Sequence, residues 1–497
     1  MKQKLLLATM KTCLLAFGAT SALLFTSCAQ DGFEDESFSS DVRDTQLLSP
    51  SADEISFTPN ADGSRRTISW PLVKGARGFE VKVKNVNNPD ETIEVVDSIV
   101  DGYSLTMDVE EDTNYLLTIR TLANTSIGNK DAAEATVKTL STFSPTYAVI
   151  PAETDLYTYF HIGADPENPK NLLPDTPLGK ELCFDLVPGG QYTISGPIDF
   201  GGHHVTLRTQ SKTNHAKIAM LKSSTFTTFA PFGLKNVDID ATDLNKSIVT
   251  MSDTPNDSIK DLIETKGVYF VMEPILFQGC NIKSLNYNIL SNNSVKYNLR
   301  TVMVSDCVIE INGESSNTSG FVYMKAGFIT DFSAKNSTIY ATAHSDKFFM
   351  QISGRPKDIN ETELRYTTIT NCTLANIAWS KNFCDYHNGQ KTYYYTLRNC
   401  IILDCGKPNV VTGLNKGQDS ENPTWDVDNN TFWRAGADVS AKQMGDDPST
   451  CKWITNNKGS NTVVTTDPEI DPTIGDFVPA AAQQAAGQGD PRWYTAE

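Results

Sequence analysis

Four groups of residues in this 497-residue sequence have types and spacing that could do chemistry. Asp238, Asp240 and Asp243 bring three carboxylates together on a short stretch. Projected from one turn of chain, they offer the oxygen ligands that hard cations take. The same alternation also suits the solvated face of a strand, so they are weak metal candidates. Gly201-Gly202-His203-His204 pairs two imidazoles but has no carboxylate partner in adjacent sequence, and it reads as a chain turn. Arg300, Arg355, Arg365 and Arg398 are basic residues without a surrounding catalytic motif. No catalytic residue is assigned from these groups.

The fourth group is aromatic. From Trp379 to Tyr395 the chain reads Trp-Ser-Lys-Asn-Phe-Cys-Asp-Tyr-His-Asn-Gly-Gln-Lys-Thr-Tyr-Tyr-Tyr, with a turn at Asn388-Gly389. Flat aromatic faces beside His, Asn and Gln suit a sugar ring and its hydroxyls. Trp379, Tyr386, His387 and Tyr394 are therefore the candidate glycan-binding residues. The competing expectation is that tyrosines here pack beneath the loop as core-edge residues.

The elements that must carry these groups follow from a repeat. Leu397-Arg398-Asn399-Cys400-Ile401-Ile402 recurs as an apolar, any, Asn-like, small, any, apolar pattern centred on Asn236, Gly279, Asp306, Asn336, Asn371, Asn399 and Asn429. Spacings of 27 to 43 residues fall in the range of stacked structural repeats. The apolar residues two before and three after the centre differ in parity, so one flat strand would send them to opposite faces. Asn, Asp and Gly tolerate a left-handed backbone at low cost. A bend there resets the parity and lets both flanking strands point inward. That arrangement is a coil of a right-handed parallel β-helix, in which no coil buries its apolar face alone.

The position after the bend holds Cys280, Cys307, Ser337, Cys372, Cys400 and Asn430, a column of small inward side chains. Cysteine there acts as a compact apolar residue. Free thiols are expected, although Cys372 and Cys400 are close enough for a bridge if their coils are adjacent. Cys384, Cys405 and Cys451 lie off the column and have no zinc-type spacing.

Lys2, Lys4 and Lys11 precede the apolar run 14–25 and small residues, the pattern of a secretory signal over 1–27. Leu24-Phe25-Thr26-Ser27-Cys28 resembles a bacterial lipobox, which implies lipidation at Cys28 and a membrane contact through the lipid. Residues 28–48 are polar and charged and read as a flexible tether. Their acidic start, Asp31 to Glu36, resembles the surface-export signal of Bacteroidota lipoproteins, implying an outer-membrane protein facing the cell exterior. A formal charge of −18 disfavours nucleic acid as a partner.

Residues 49–141 show short alternating strands such as Thr67-Ile68-Ser69-Trp70 and Phe79-Glu80-Val81-Lys82-Val83. With Trp70 early and Thr113-Asn114-Tyr115 before a late strand, the segment resembles a fibronectin type III β-sandwich with Tyr115 at a corner. Residues 142–190 are expected to be a linker and cap, and 191–497 the β-helix with a C-terminal tail. The expected fold is thus all-β, a sandwich followed by a parallel β-helix.

The second segment resembles pectate-lyase-like β-helices, and more closely the uncharacterised β-helix domains of Bacteroidota surface lipoproteins. Gly489-Asp490-Pro491-Arg492-Trp493 matches the ending of that group. The resemblance implies a glycan-utilisation context, with polysaccharide and neighbouring glycan-utilisation proteins as partners. Two functions follow. One is non-catalytic polysaccharide binding or display, with no cofactor. The alternative is a lyase or hydrolase acting on an acidic glycan such as pectin, where calcium would neutralise the uronate carboxylate.

Overall fold

The computed structural model describes residues 42–60, 64–87, 92–161, 173–261 apart from 178, 267–353, 365–386, 393–434 apart from 408–413 and 415–423, 458–459, 463–464 and 466–495. Cys28, Arg355, His387 and Cys451 lie outside the described residues. The chain divides into two compact units, Met1–Thr142 and Phe143–Glu497.

The first unit is built from two antiparallel sheets. Ser56–Pro59, Arg65–Ser69 and Ser104–Asp108 form one. The other runs in the order Ile93–Val100, Ala76–Asn85, Asn114–Ala123, Thr136–Ser141. Period-two alternation turns Phe79, Val81 and Val83 from one strand, and Tyr115, Leu117 and Ile119 from the next, into a shared core with Ile68 and Trp70. Trp70 meets Phe79 edge to face at 5.4 Å. The Glu110 backbone N–H donates to the Tyr115 hydroxyl at 2.8 Å, which ties the strand start to its incoming turn.

The expected tether is shorter than 28–48. Leu47 is buried in this core, and backbone bonds join Asp44 to Ile127 and Leu47 to Lys130. One well-placed leucine in a polar stretch is enough to dock it, at about 1.5–3 kcal/mol for a fully buried side chain.

The second unit is a parallel β-helix of three sheets. The first sheet runs from Thr146–Ile150 through Leu182–Leu186 and eight further strands to Thr424–Asp428. The second runs from Thr154–Asp155 to Val463–Val464, and the third from Pro197–Asp199 to Cys384–Tyr386. Along each sheet the strands pair in parallel with the strand one coil away, apart from a side branch of the first sheet in which Lys260–Asp261 pairs antiparallel with Val268–Val271.

Between first-sheet and second-sheet strands sit the bend residues. Asn236, Gly279, Asp306, Asn336, Asn371, Asn399 and Asn429 all have positive φ, between 49° and 62°. Their backbone N–H groups also bridge coils, from Asn336 to Thr370 O, Asn371 to Arg398 O and Asn399 to Asp428 O. Adjacent side chains add to the column, since Asn336 donates to Asp306 at 3.2 Å and Asn429 to Asn399 at 2.8 Å. Behind it Cys280, Cys307, Cys372 and Cys400 are fully buried free thiols. Burial pushes the Cys307 and Cys372 thiols far up, because a thiolate there would have no water, and the neighbouring thiols of Cys280 and Cys400 add to the rise.

The linker and cap expected at 142–190 is largely β-helix. Thr146–Ile150 and Leu182–Leu186 are the first two strands of the first sheet. The capping role falls to the short helix Leu156–His161, which buries Leu156 and Tyr159 and sets Phe160 edge-on to Phe184 and Phe200 at 5.1 Å. The parity of Leu182–Leu186 could not reveal a strand by alternation, because all five of its residues are buried.

The tail is a strap rather than a free end. Ile470, Phe477 and Trp493 pack on Tyr340, Ala375, Ile401 and Leu403, which face outward from the second sheet. Residues 486–493 then bond across four coils. Gly489 N–H reaches Asn399 O at 2.8 Å, and Arg492 reaches Asn336 O at 3.1 Å. Thr431 donates to Gln488 at 2.6 Å. Asp490 is buried at 1% exposure, accepting from Thr338 at 2.9 Å and pairing with Arg492 at 2.8 Å. Gly489 is required by two constraints, a φ of +89° and an Ile401 atom 2.8 Å from where a Cβ would sit.

Candidate functional site

The strand register brings one aromatic pair onto the outer face of the first sheet. Asp331, Tyr366, Tyr394 and Thr424 occupy one row on successive coils. Along Arg365–Thr370, inward Thr367 and Ile369 alternate with outward Tyr366, Thr368 and Thr370. Coil stacking therefore places Tyr366 against Tyr394, their rings 5.3 Å apart and inclined by 26°. Tyr366 stays 39% exposed, and Lys458 approaches the Tyr394 ring to 5.5 Å.

Polar rows flank the pair. Ser333, Thr368, Thr396 and Asp426 form the next row, followed by Lys335, Thr370, Arg398 and Asp428. Arg398 contacts Asp426 at 2.7 Å and Asp428 at 3.4 Å, so its charge is largely answered within the protein. Its hydrogen bond to Asp426 holds the guanidinium above its ordinary pKa. Beside the tyrosines, burial raises the Asp331 carboxyl above the usual aspartate value, and Arg300 opposes that shift without cancelling it.

The other sugar-binding candidates separate. Tyr394 lies in this row. Tyr386 is 1% exposed in the helix core near Tyr395, so it has no face for a ligand, which corrects the expectation for it. Its strand, Cys384–Tyr386, belongs to the third sheet, and its parity turns the ring inward. Trp379 is also corrected. His344 stacks on its ring at 3.8 Å and 4°, and the Arg434 guanidinium sits 3.8 Å from the same centroid. Two groups that close to one centroid must occupy opposite faces, which leaves only the ring edge free. His387 lies outside the described residues.

Tyr366 was not singled out from sequence. Its signal was available, because Tyr366 and Tyr394 each stand five residues before a bend asparagine, Asn371 and Asn399.

Asp238, Asp240 and Asp243 do not gather. Asp238 accepts from His215 at 2.9 Å and Asn281 at 2.7 Å. Burial pushes its carboxyl up, but those hydrogen bonds outweigh burial and leave it below the ordinary aspartate value. Asp240 accepts instead from the Thr242 N–H at 3.0 Å. No group of three His, Cys, Asp or Glu able to hold a metal occurs among the described residues. Arg365 is buried over the Phe328 ring at 4.3 Å, facing away from the outer surface.

Gly201-Gly202-His203-His204 does turn the chain, from the third sheet into the first, with Gly201 at φ +57°. It also has the carboxylate that adjacent sequence lacked. Glu273, from a loop two coils further on, lies 3.2 Å from His204 Nδ1. A family described as a domain of unknown function matches residues 1–189, and a second so described (DUF4957) matches residues 190–342. No curated protein matches the sequence. Among solved structures, the chain is similar to pectate lyase PelI from Erwinia chrysanthemi in complex with tetragalacturonic acid. Identity is 10% and the TM-score 0.14, over 85% of this chain and 100% of that one. It is also similar to pectate lyase Pel3 from Pectobacterium carotovorum, at 9% identity and a TM-score of 0.17, over 82% and 100% of the two chains. At those scores the β-helix assignment rests on the strand pairing above.

Proposed function

We propose that this protein is a lipid-anchored outer-membrane lipoprotein of the Bacteroidota surface type. In this reading a fibronectin type III-like module acts as spacer, and a right-handed pectate-lyase-like β-helix binds polysaccharide without cleaving it. The leader and Cys28 support the anchor. The three-plus-four strand sandwich and the Tyr115 corner bond support the module.

The observation that carries the binding role is the Tyr366–Tyr394 stack on the outer face of the first sheet, where Tyr366 keeps 39% of its surface exposed. A stacked aromatic pair rimmed by Thr, Asp and Arg supplies an apolar surface for sugar C–H groups and hydrogen bonds for hydroxyls. Catalysis is disfavoured because Arg398 is committed to Asp426 and Asp428, and Asp238 to His215 and Asn281. The net charge of −18 also repels polyuronate unless a cation intervenes.

Affinity electrophoresis of the mature protein through gels cast with neutral and pectic glycans, with and without calcium, tests the proposal. Retention by a neutral glycan, weakened about tenfold by Tyr394→Ala, is expected. New 4,5-unsaturated or reducing ends would establish the lyase or hydrolase alternative instead.

A further inference from the structure

At the corner where third-sheet strands turn into the first sheet lies a cavity of about 730 Å³. That volume lies within the range of small-molecule sites. Its apolar wall is dominated by Phe200, Phe229 and Phe270, with Met272 at 63% exposure. Such an exposed thioether beside aromatic rings is available for sulfur–aromatic contact with a ligand.

The polar side is organised around His204. The Glu273 carboxylate lies 3.2 Å from its Nδ1, within ion-pair distance, while the His204 side chain keeps 23% exposure. His204 Nε2 has no hydrogen-bond partner among the described residues. A carboxylate beside one ring nitrogen favours the proton there and leaves the other nitrogen as an acceptor for a ligand hydroxyl.

Most other polar atoms of the wall already serve the protein. Both nitrogens of His203 lie on carbonyl oxygens, Phe200 O at 2.9 Å and Pro174 O at 2.8 Å. Asp199 accepts from Gly201 N–H at 2.9 Å, and the Asn256 side-chain oxygen from Ser258 N–H at 2.8 Å.

This inventory selects a ligand class. A buried pyranose carries hydroxyls around its whole rim, each costly if left without a partner, and three phenylalanines cannot supply them. An anion would meet one cation, Lys180, against the two carboxylates of Asp199 and Glu273. A flat aromatic ring with one hydroxyl needs the opposite, aromatic walls and one oriented hydrogen-bond partner. We propose that this cavity is a binding site for a neutral hydroxylated aromatic ring, seated between Phe229, Phe270 and Met272 and anchored by its hydroxyl on His204. The Gly201-Gly202 turn makes room for it. A Cβ on Gly202 would lie 2.9 Å from the Phe229 ring and displace that wall.

Saturation-transfer NMR and calorimetry on the mature protein would test the site with 4-methylphenol, 4-hydroxybenzoate, cyclohexanol and methyl glucoside as probes. Binding of 4-methylphenol is expected, with 4-hydroxybenzoate and cyclohexanol at least tenfold weaker and methyl glucoside silent. Ser258→Trp, which fills the cavity from its exposed rim, should abolish binding, and His204→Ala should weaken it about tenfold. Circular dichroism would establish that both variants are folded. Absence of 4-methylphenol binding, preference for the glucoside, or unchanged binding in folded Ser258→Trp would overturn the assignment. The result is independent of polysaccharide retention, which is read on Tyr394.

Discussion

The outer faces of the first and second sheets arise from the same repeat yet have opposite fates. On the second sheet, Tyr340, Ile401 and Leu403 are covered by Ile470, Phe477 and Trp493 from the C-terminal strap. On the first sheet, Tyr366 and Tyr394 stack on successive coils, and Tyr366 keeps 39% of its surface in water. A coil by itself buries only its inward residues, so an outward aromatic stays in water unless another segment covers it. One face has its cover inside the chain. Among the described residues, the other keeps part of its aromatic pair in water.

That contrast is most sharply tested at the strap. Phe477 is 2% exposed and meets Tyr340 at 4.6 Å. Phe477→Ala should cost about 3–5 kcal/mol, read as a lower urea midpoint with increased amide exchange on the second-sheet strands. An unchanged midpoint would mean that the strap does not contribute to stability. The column between the two faces should respond less. Asn399 has a φ of 55°, so Asn399→Val should lose about 1–2 kcal/mol, whereas Asn399→Gly should stay near wild type. Equal losses in both variants would show that the side chain, not the backbone angle, is what matters there.

Tyr366→Ala is the mirror of the strap variant. It should shift the unfolding midpoint by under about 1 kcal/mol while weakening glycan retention about tenfold. A large stability loss with retention intact would make the tyrosine stack a structural cover like the other face.

The smallest expected effect is on pH dependence. Burial raises the Asp490 carboxyl above its ordinary 3.8, outweighing the Arg492 ion pair. Between 3.8 and the raised value the folded chain holds a proton that the unfolded chain has released. Stability should therefore fall as pH rises through that window and level off above it. In Asp490→Asn the slope should lessen in the urea midpoints, leaving the contribution of the raised Asp331 carboxyl; an unchanged slope would assign the effect to other groups.

How far the fold was legible depended on locality. The bend asparagines could be read because their effect is a single residue's φ, repeated in a column. The strand at Leu182–Leu186 was missed because a strand buried on both faces has no alternation to display. The aromatic stretch was recognised by composition, which carries no direction. Only strand parity and neighbouring coils separated outward Tyr394 from inward Tyr386, and only His344 and Arg434 closed both faces of Trp379. The His204 carboxylate came from two coils away, beyond any local motif.

The sequence by itself determined the repeating coil, the inward column of small residues and the charge balance, because each depends on residue type and short-range backbone preference. Tertiary structure decided which outward face is covered and which stays open, and which imidazole acquires a carboxylate. Those outcomes depend on segments distant in sequence meeting across stacked coils, and the free energy of such contacts is set by packing geometry that no single stretch of chain contains.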